Sequence, residues 1–266
     1  MLYSISSKYH VLASSLNREG SSTYNSMGMT NTIDPKHFKL AKDQSFGFFD
    51  DIQTHQWKLY QRIAANYQPH THPENPLKVA THATFYQENY EPNFSCPFER
   101  RMGNNGDGGK WICDPHRLKR IAKETGSCLI YSVGSNGDFL LEVAVQRYLE
   151  DGKLCEIHIF DMGNFENLNE KLVKEVKPGQ EFYSLAESVK LLGHEGRRAI
   201  DLFKIDCEGC EWTTFKDWTG PSIPRIQQIL VENHRTNGNT VNFYNELMNN
   251  GYVIYHKEPN ILEAYG

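Results

Sequence analysis

The chain lacks the long apolar run that a membrane-spanning helix needs. Nowhere in its 266 residues do about 18 apolar residues follow one another. The first residues, Met1 to Leu16, also lack the continuous apolar centre of a secretory signal peptide. We therefore expect a soluble chain without direct membrane insertion, cytoplasmic by default, or secretory if the amino terminus of the sequence is incomplete.

Basic residues are too few to form a broad positive surface. The formal net charge is −5, and basic runs such as Arg117 to Arg120 are short. Sequence-independent binding of nucleic acid needs many Lys and Arg side chains against the phosphates. We therefore expect no nucleic-acid partner, while the oligomeric state stays open.

Cysteine is scarce as well. Six cysteines in 266 residues are too few for a fold that is held together mainly by disulfides. Cys128 and Cys155 fall at the starts of two predicted buried strands, where we expect free thiols that pack as small apolar groups. Cys96 and Cys113 flank a glycine-rich loop and are the one pair whose placement favours a disulfide.

No sustained period runs through the first 40 residues, and a single helical pattern follows before residue 98. Residues 1–40 are rich in Ser, Asn, Thr, Met and Gly, which predicts a disordered or loosely packed segment. Residues 41–98 are predicted to be an N-terminal extension, mostly irregular, with one amphipathic helix from about Asp51 to Asn66. We expect Leu59 and Ile63 on the apolar face of this helix and Trp57 off it.

From Cys128 onward, predicted strands alternate with predicted helices. Apolar runs predict strands at Cys128 to Val133, Glu156 to Asp161, Asp201 to Ile205, Ile226 to Glu232 and Tyr252 to His256. Helical spacing predicts crossover helices between them, for example at Phe139 to Asp151. This alternation is typical of an α/β domain with a mostly parallel sheet and helices on both faces.

A turn rich in carboxylates follows the strand that begins at Asp201. Ligands of open α/β sheets bind beyond the carboxyl ends of the strands, so Asp206 is a candidate site residue and Glu208 a weaker one. The alternative is that these acids only favour the first turn of the next helix through its dipole. Cys207 and Cys210 have a redox or half-zinc spacing, but no second such pair exists, and we interpret them as packing residues.

The turn after the first predicted strand is a candidate cofactor site. Gly134 and Gly137 let the backbone approach a ligand at a helix amino terminus, and Ser135 and Asn136 lie between them. Asp161, at the end of the next strand, can accept hydrogen bonds from ribose hydroxyls. Because the order is G-x-x-G and not G-x-G-x-x-G, a nucleoside cofactor without phosphates fits better than a dinucleotide.

His234 and Glu232 stand at the end of another predicted strand. If that strand neighbours the Asp206 strand, the three side chains meet at one edge of the sheet. His234 is then a general base oriented by Glu232, or a ligand of an oxygen-and-imidazole metal site, or the partner in a structural hydrogen bond. We take Asp206, Glu232 and His234 as candidate catalytic residues and predict no metal.

The chain resembles the methyltransferase-like family, relatives of FkbM-type S-adenosylmethionine-dependent methyltransferases, in segments that occur in this order: KWICDP, LIYSVGSNGD, HIFD, LLGHEGRRAIDLFKIDCEGCEW, ILVENH and YHKEPNI. The resemblance covers residues 99–266 and implies a Rossmann-like class I methyltransferase sheet of seven strands. It implies that Gly134 and Gly137 line the methionine part of S-adenosylmethionine, that Asp161 holds its ribose, and that Asp206 closes the site.

The same resemblance implies methyl transfer to an unknown hydroxyl-bearing acceptor, either a glycan or a small molecule. Ser132 stands where FkbM-type enzymes have an acid, and the third glycine of the methyltransferase turn is absent. These departures favour the alternative of a catalytically inactive binding module with the methyltransferase fold. The sequence ends at Gly266, so we expect the closing antiparallel strand to be truncated or reduced to residues 261–265.

Overall fold

The structure is a computed structural model that describes residues 6–13, 42–45, 47–66, 85–86, 89–150, 154–161, 183–235 and 238–259. The strands are β1 (Ser6–Ala13), β2 (Arg100–Met102), β3 (Lys110–Ile112), β4 (Leu129–Val133), β5 (Glu156–Phe160), β6 (Leu202–Ile205), β7 (Gln228–His234) and β8 (Tyr252–Pro259). The α-helices are α1 (Thr54–Asn66), α2 (Pro115–Thr125), α3 (Leu140–Tyr148), α4 (Leu185–Leu191), α5 (Glu211–Thr214) and α6 (Thr240–Asn249).

The main sheet has six strands in the order β5-β4-β6-β7-β1-β8 among the described residues. Strands β5, β4, β6 and β7 are mutually parallel, and β1 is antiparallel to both of its neighbours. The predicted α/β fold with a mostly parallel, Rossmann-like sheet is confirmed. Because the four parallel strands point the same way, their carboxyl ends meet at one edge of the sheet.

Helices cover both faces of the sheet. In β4 and β6, Ile130 and Leu202 point into one apolar core, while Tyr131 and Phe203 point into the other. Alternate side chains of a strand face opposite sides, so a strand that is covered on both faces needs an unbroken apolar run. This explains why these strands could be predicted from composition alone.

The antiparallel strand β1 comes from the amino terminus and not from the carboxyl terminus. Its register with β7 pairs Ser6 with His234 and Leu12 with Gln228. The prediction of a disordered or loosely packed segment over residues 1–40 is therefore wrong for β1, because the backbone pairs on both of its sides. Residues 14–40 and 261–265 lie outside the described part of the chain.

Helix α1 buries a different face from the predicted one. Trp57 is buried, whereas Leu59 and Ile63 are about half exposed. The Trp57 ring packs against Phe49 and Phe94, at centroid distances of 5.1 and 6.4 Å. The predicted face is wrong because the helix begins only at Thr54, so the spacing of aromatic residues before it, such as Phe49, does not indicate which side of the helix is buried. None of the helices in the described part of the chain has the length and apolarity that crossing a membrane requires.

A disulfide joins Cys128 to Cys155, with a Cα–Cα distance of 4.4 Å. The prediction of free thiols at these positions is wrong. Strands β4 and β5 pair with Leu129 opposite Glu156, so the two residues before them are also brought side by side. A bridge between neighbouring strands depends on their register, which the sequence pattern does not give.

The other four cysteines are also paired. Cys96 and Cys113 form the favoured disulfide, with a Cα–Cα distance of 5.4 Å. Cys207 and Cys210 form a third disulfide, so their interpretation as packing residues is wrong. This bridge closes the turn that follows β6 and fixes the loop between Asp206 and α5.

Candidate functional site

The glycine turn after β4 lies at the carboxyl edge of the sheet. Gly134, Asn136 and Gly137 have positive φ angles of 72°, 48° and 79°. A Cβ atom at Gly134 would lie 1.8 Å from the carbonyl oxygen of Asp206, so only glycine fits there. The backbone turn is thereby packed directly against the end of β6.

Asp161 lies at the end of β5, beside the glycine turn. Its Oδ2 accepts hydrogen bonds from the backbone N–H of Ser135 at 2.7 Å and of Asn136 at 2.6 Å, and from Ser135 Oγ at 2.9 Å. The turn thus fixes the orientation of the carboxylate. The structure brings together all the residues that were predicted to hold the cofactor around the turn.

Asp206 and Glu232 share one buried cation. Lys110 Nζ donates to Asp206 Oδ2 at 2.9 Å and to Glu232 Oε2 at 2.7 Å. The Lys110 side chain is fully buried and that of Glu232 nearly so, while Asp206 is partly open to solvent. Because the Lys110 ammonium lies at hydrogen-bond distance from both carboxyl groups and all three groups are largely removed from water, they form one electrostatic unit.

The charge state of this unit follows from its contacts. Burial alone lowers the pKa of Lys110, but the charges of Asp206 and Glu232 outweigh burial and raise it. Burial alone raises the pKa of Asp206, but Lys110 and Lys204 outweigh burial and hold it well below its usual range. Lys110 is therefore an ammonium and Asp206 a carboxylate at neutral pH.

Lys204 adds a second cation between the turn and Asp206. Its Nζ donates to the Gly134 carbonyl oxygen and lies 3.6 Å from Asp206 Oδ2. Burial is the main cause that lowers its pKa, and the neighbouring Lys110 acts in the same direction. Lys204 was not predicted as a site residue, because within a buried strand it gave no signal other than its charge.

His234 lies at the end of β7 and is largely buried. Its Nδ1 is 3.1 Å from Glu211 Oε1, and its Nε2 is 3.7 Å from Asp206 Oδ1 and 3.6 Å from Glu208 Oε2. Burial alone lowers the pKa of His234, but the hydrogen bond and charge of Glu211 and the charges of Glu208 and Asp206 raise it to about 9. The imidazole is protonated at neutral pH.

Glu211, and not Glu232, orients His234. Glu211 Oε1 accepts the backbone N–H of His234 at 2.8 Å as well as facing the ring, and its side chain is fully buried. Trp212 Nε1 donates to the His234 carbonyl oxygen at 2.9 Å. The expectation that Glu232 orients the imidazole is wrong because Glu232 is bound to Lys110.

Asp206, Glu232 and His234, which the sequence marks as candidate metal ligands, lie close together. One ligand atom each of Asp206, Glu232 and His234 lies within 4.8 Å of the others. The Lys110 ammonium, however, contacts both carboxylates at hydrogen-bond distance. A divalent cation there would have to share the two carboxylates with a buried positive charge, which is electrostatically unfavourable.

The buried Glu142 carboxylate lies beside Ser132, the position at which the resemblance to FkbM-type enzymes implies an acid. The Ser132 hydroxyl donates to Glu142 Oε1, and Glu142 is buried on α3. Its Oε2 has no hydrogen-bond partner among the described residues. A carboxylate from the helix that follows the glycine turn thus lies beside position 132.

The hairpin of β2 and β3 lies against this edge of the sheet. Asn104 Nδ2 donates to Asp138 Oδ2, and a Cβ at Gly103 would lie 3.0 Å from the Leu141 backbone. The glycine-rich loop between β2 and β3 therefore packs on the start of α3. Lys110, which opens β3, enters the site from this hairpin.

The end of β8 anchors the same hairpin. Glu258 accepts hydrogen bonds from Arg101 Nη1 at 2.6 Å and from Trp111 Nε1 at 2.8 Å, and the His256 ring stacks on Trp111 at 4.7 Å. Burial alone raises the pKa of Glu258, but His256, Arg101 and Trp111 outweigh it and lower the pKa to about 2. Glu258 therefore holds the hairpin as a permanent anion.

Comparison with known proteins identifies one family. A family model described as "Methyltransferase domain" matches residues 39–265. The chain matches no curated protein and no solved structure. The matched range contains β2 to β8 and every candidate site residue described above, while β1 lies before it.

Proposed function

This chain belongs to the methyltransferase-domain family, and from that premise we propose that it transfers a methyl group from S-adenosylmethionine to a hydroxyl group of a glycan or small molecule. The observation that carries the proposal is the convergence of the glycine turn, Asp161, Asp206 and His234 at the carboxyl ends of four neighbouring parallel strands. Ligands of open α/β sheets bind at that edge.

The residues around the glycine turn fit the cofactor. Gly134 and Gly137 have positive φ angles, which glycine adopts readily, and so form the tight turn whose backbone lies beside Asp161. Asp161 offers a fixed carboxylate, an acceptor suited to ribose hydroxyls. Gly134 to Gly137 would hold the methionine part and Asp161 the ribose. When bound, S-adenosylmethionine supplies an electrophilic methyl group on a sulfonium.

We assign the acceptor side to His234 and Asp206. Lys110 and Lys204 fix the Asp206 carboxylate, and Glu211 fixes the imidazole of His234. Once deprotonated, His234 Nε2 would take the proton of the acceptor hydroxyl, whose oxygen would gain the methyl group as the bond from that group to sulfur breaks and S-adenosylhomocysteine leaves. Glu211 stabilises the imidazolium that results. Glu232 acts indirectly, by holding Lys110 against Asp206.

The choice of a hydroxyl acceptor follows from the base. Methyl transfer to a hydroxyl is helped by a base, such as an imidazole, that removes the hydroxyl proton. Methyl transfer to an uncharged amine needs much less help from a base. The net charge of −5 and the acids around His234 do not favour a polyanionic acceptor such as nucleic acid. A neutral sugar or small alcohol suits this surface better.

Isothermal titration calorimetry with S-adenosylhomocysteine tests the cofactor assignment. We expect the wild-type chain to bind, and Asp161→Asn to bind at least roughly tenfold more weakly, because hydrogen bonds to a charged group contribute about 1.5–3 kcal/mol. Asn keeps one acceptor oxygen toward the turn. Glu195→Gln, an exposed position, is the charge-matched control and should bind like wild type. Absence of binding by folded wild-type protein would refute the proposal.

A further inference from the structure

Another cluster of side chains that can bind metal lies on β5, away from the methyl-transfer site. Glu156 and His158 stand two residues apart on this strand, so their side chains point to the same face of the sheet. His194 joins them from the loop that follows α4, and one ligand atom of each residue lies within 4.8 Å of the others. Glu156 opens β5 and Asp161 follows its end, so about 3.3 Å per residue puts roughly 16 Å between them along the strand.

The backbone around His194 is fixed by the end of α4. Gly193 has a positive φ angle of 69°, and its N–H donates to the Lys190 carbonyl oxygen at 3.0 Å. The N–H of His194 donates to the Val189 carbonyl oxygen at 2.8 Å. These two bonds form the Schellman motif, which ends a helix and sets the direction of the chain after it. His194 is therefore held beside β5 by backbone contacts that do not involve the cluster.

The three ligand atoms face one another. His158 Nε2 lies 2.8 Å and His194 Nε2 lies 3.3 Å from the same oxygen, Glu156 Oε1. Two ligand atoms of a tetrahedral zinc ion, each about 2.0–2.1 Å from the metal, are about 3.3 Å apart. The observed distances are close to this value, so small movements of the side chains suffice to place an ion between the three atoms.

The outer contacts of the cluster orient its ligand atoms. Tyr131 Oη lies 2.7 Å from His194 Nδ1, so it can accept the Nδ1–H of the tautomer that leaves Nε2 free for a metal. Arg197 Nη2 donates to Glu156 Oε2, which leaves Oε1 to the histidines. Metal-binding histidines and carboxylates are typically held by outer contacts of this kind.

Access and charge distinguish this cluster from the one around Asp206. The Glu156 side chain is 31 % exposed among the described residues, which gives an ion a route from solvent, while the two histidines are nearly buried. The neighbouring cation, Arg197, is 35 % exposed and contacts only the second carboxylate oxygen. Solvent therefore screens its charge, unlike that of the buried Lys110.

We propose that Glu156 Oε1, His158 Nε2 and His194 Nε2 bind a zinc ion, with water as the fourth ligand. Two imidazoles and one carboxylate are a ligand set that zinc takes in proteins. Both histidines bind as neutral imidazoles that keep their proton on Nδ1, and the ion ties β5 to the loop after α4. The sequence predicts no metal, because nothing local shows that His194 meets β5. The site does not rest on the proposed methyl transfer, since the two sites share no residue.

Zinc and cobalt binding to the full chain, stripped of metal with a chelator that is then removed, tests the site. Calorimetry with Zn²⁺ should show binding, and Co²⁺, which is coloured in tetrahedral sites, should give visible absorption bands. His194→Gln should remove the bands and weaken zinc binding at least roughly tenfold. His55→Gln, at an exposed position of α1, should bind like wild type. If His234→Gln removes the bands and His194→Gln keeps them, the metal binds around Asp206 and the proposal is overturned.

Thermal unfolding and two further variants separate metal binding from a structural role of the same contacts. Zinc should raise the melting temperature of wild type, whereas Mg²⁺, which prefers oxygen ligands, should not. Glu156→Gln changes a partly exposed ligand and should reduce the rise caused by zinc. Tyr131→Phe should weaken zinc binding roughly ten- to a hundredfold, the range for an outer contact. The proposal is also overturned if zinc neither binds nor stabilises wild type, or if His194→Gln binds zinc as tightly as wild type.

Discussion

Replacing Lys110 with methionine removes the cation that Asp206 and Glu232 share. Methionine has a similar length and keeps the apolar contacts of the lysine stem, so the main change is the loss of charge. Glu232 is 3 % exposed in its side chain and would keep a buried negative charge without its partner at 2.7 Å. Asp206 would keep Lys204, at 3.6 Å, and the His234 imidazole, at 3.7 Å.

The expected cost is large because the pair is buried. Removal of one partner of a buried ion pair typically costs about 3–5 kcal/mol of the free energy of unfolding. For a chain of this size, each kcal/mol lowers the melting temperature by about 2–4 °C, so we expect a fall of roughly 6–20 °C. Urea unfolding followed by circular dichroism measures the free energy directly.

A matched control is Lys119→Met. Lys119 Nζ lies 3.2 Å from Glu150 Oε1, but both side chains are substantially exposed, so the loss should stay below about 1 kcal/mol. A second variant, Lys110→Met with Glu232→Met, removes the stranded charge and should recover part of the stability. If Lys110→Met costs no more than Lys119→Met, the shared buried cation is not a structural determinant of this site.

Three further predictions concern the site and the disulfides. The methyl-transfer rate should rise about tenfold per pH unit up to about 9, because His234 must lose its proton to act and its pKa is raised to about 9; His234→Gln should flatten this profile. Gly134→Ala should abolish binding of S-adenosylhomocysteine in calorimetry, because the new Cβ would lie 1.8 Å from the Asp206 carbonyl oxygen, whereas Gly196→Ala, which meets nothing within 4 Å, should bind normally. Mass spectrometry after alkylation should find none of the six cysteines modified before reduction and all six afterwards, and a modified Cys207 in the unreduced chain would contradict its disulfide.

Much of the central sheet could be predicted from the sequence because its strands are covered on both faces. Apolar runs identify β4 and β6, and Gly134 and Asp161 mark where the neighbouring strands end. Parallel strands place such turns at a common edge, so the candidate cofactor site followed without knowledge of any long-range contact.

The partners of the charged residues could not be predicted in the same way. Lys110 lies 96 residues from Asp206 and 122 from Glu232 along the chain, and nothing local indicates that β3 brings it to them. The only local indication of a role for Lys110 is that it follows a glycine-rich loop and begins the short apolar strand β3. The orienting role of Glu211 depends on the turn after β6 facing the end of β7, which is again a matter of strand order.

Strand β1 and the Cys128–Cys155 bridge were missed for related reasons. A short alternating segment such as Ser6–Ala13 has weak local preference and becomes a strand because β7 and β8 leave a gap between them. The bridge depends on the register of β4 and β5, a property of the pair and of neither strand alone.

A crystal structure of the chain with S-adenosylhomocysteine tests the central claim most directly. We expect density for the adenosyl group between Gly134 and Asp161, with the ribose hydroxyls within hydrogen-bond distance of the Asp161 carboxylate and the sulfur on the side of Asp206 and His234. Density for the ligand at any other part of the sheet, or a glycine turn that stays empty in crystals saturated with the ligand, would contradict the account.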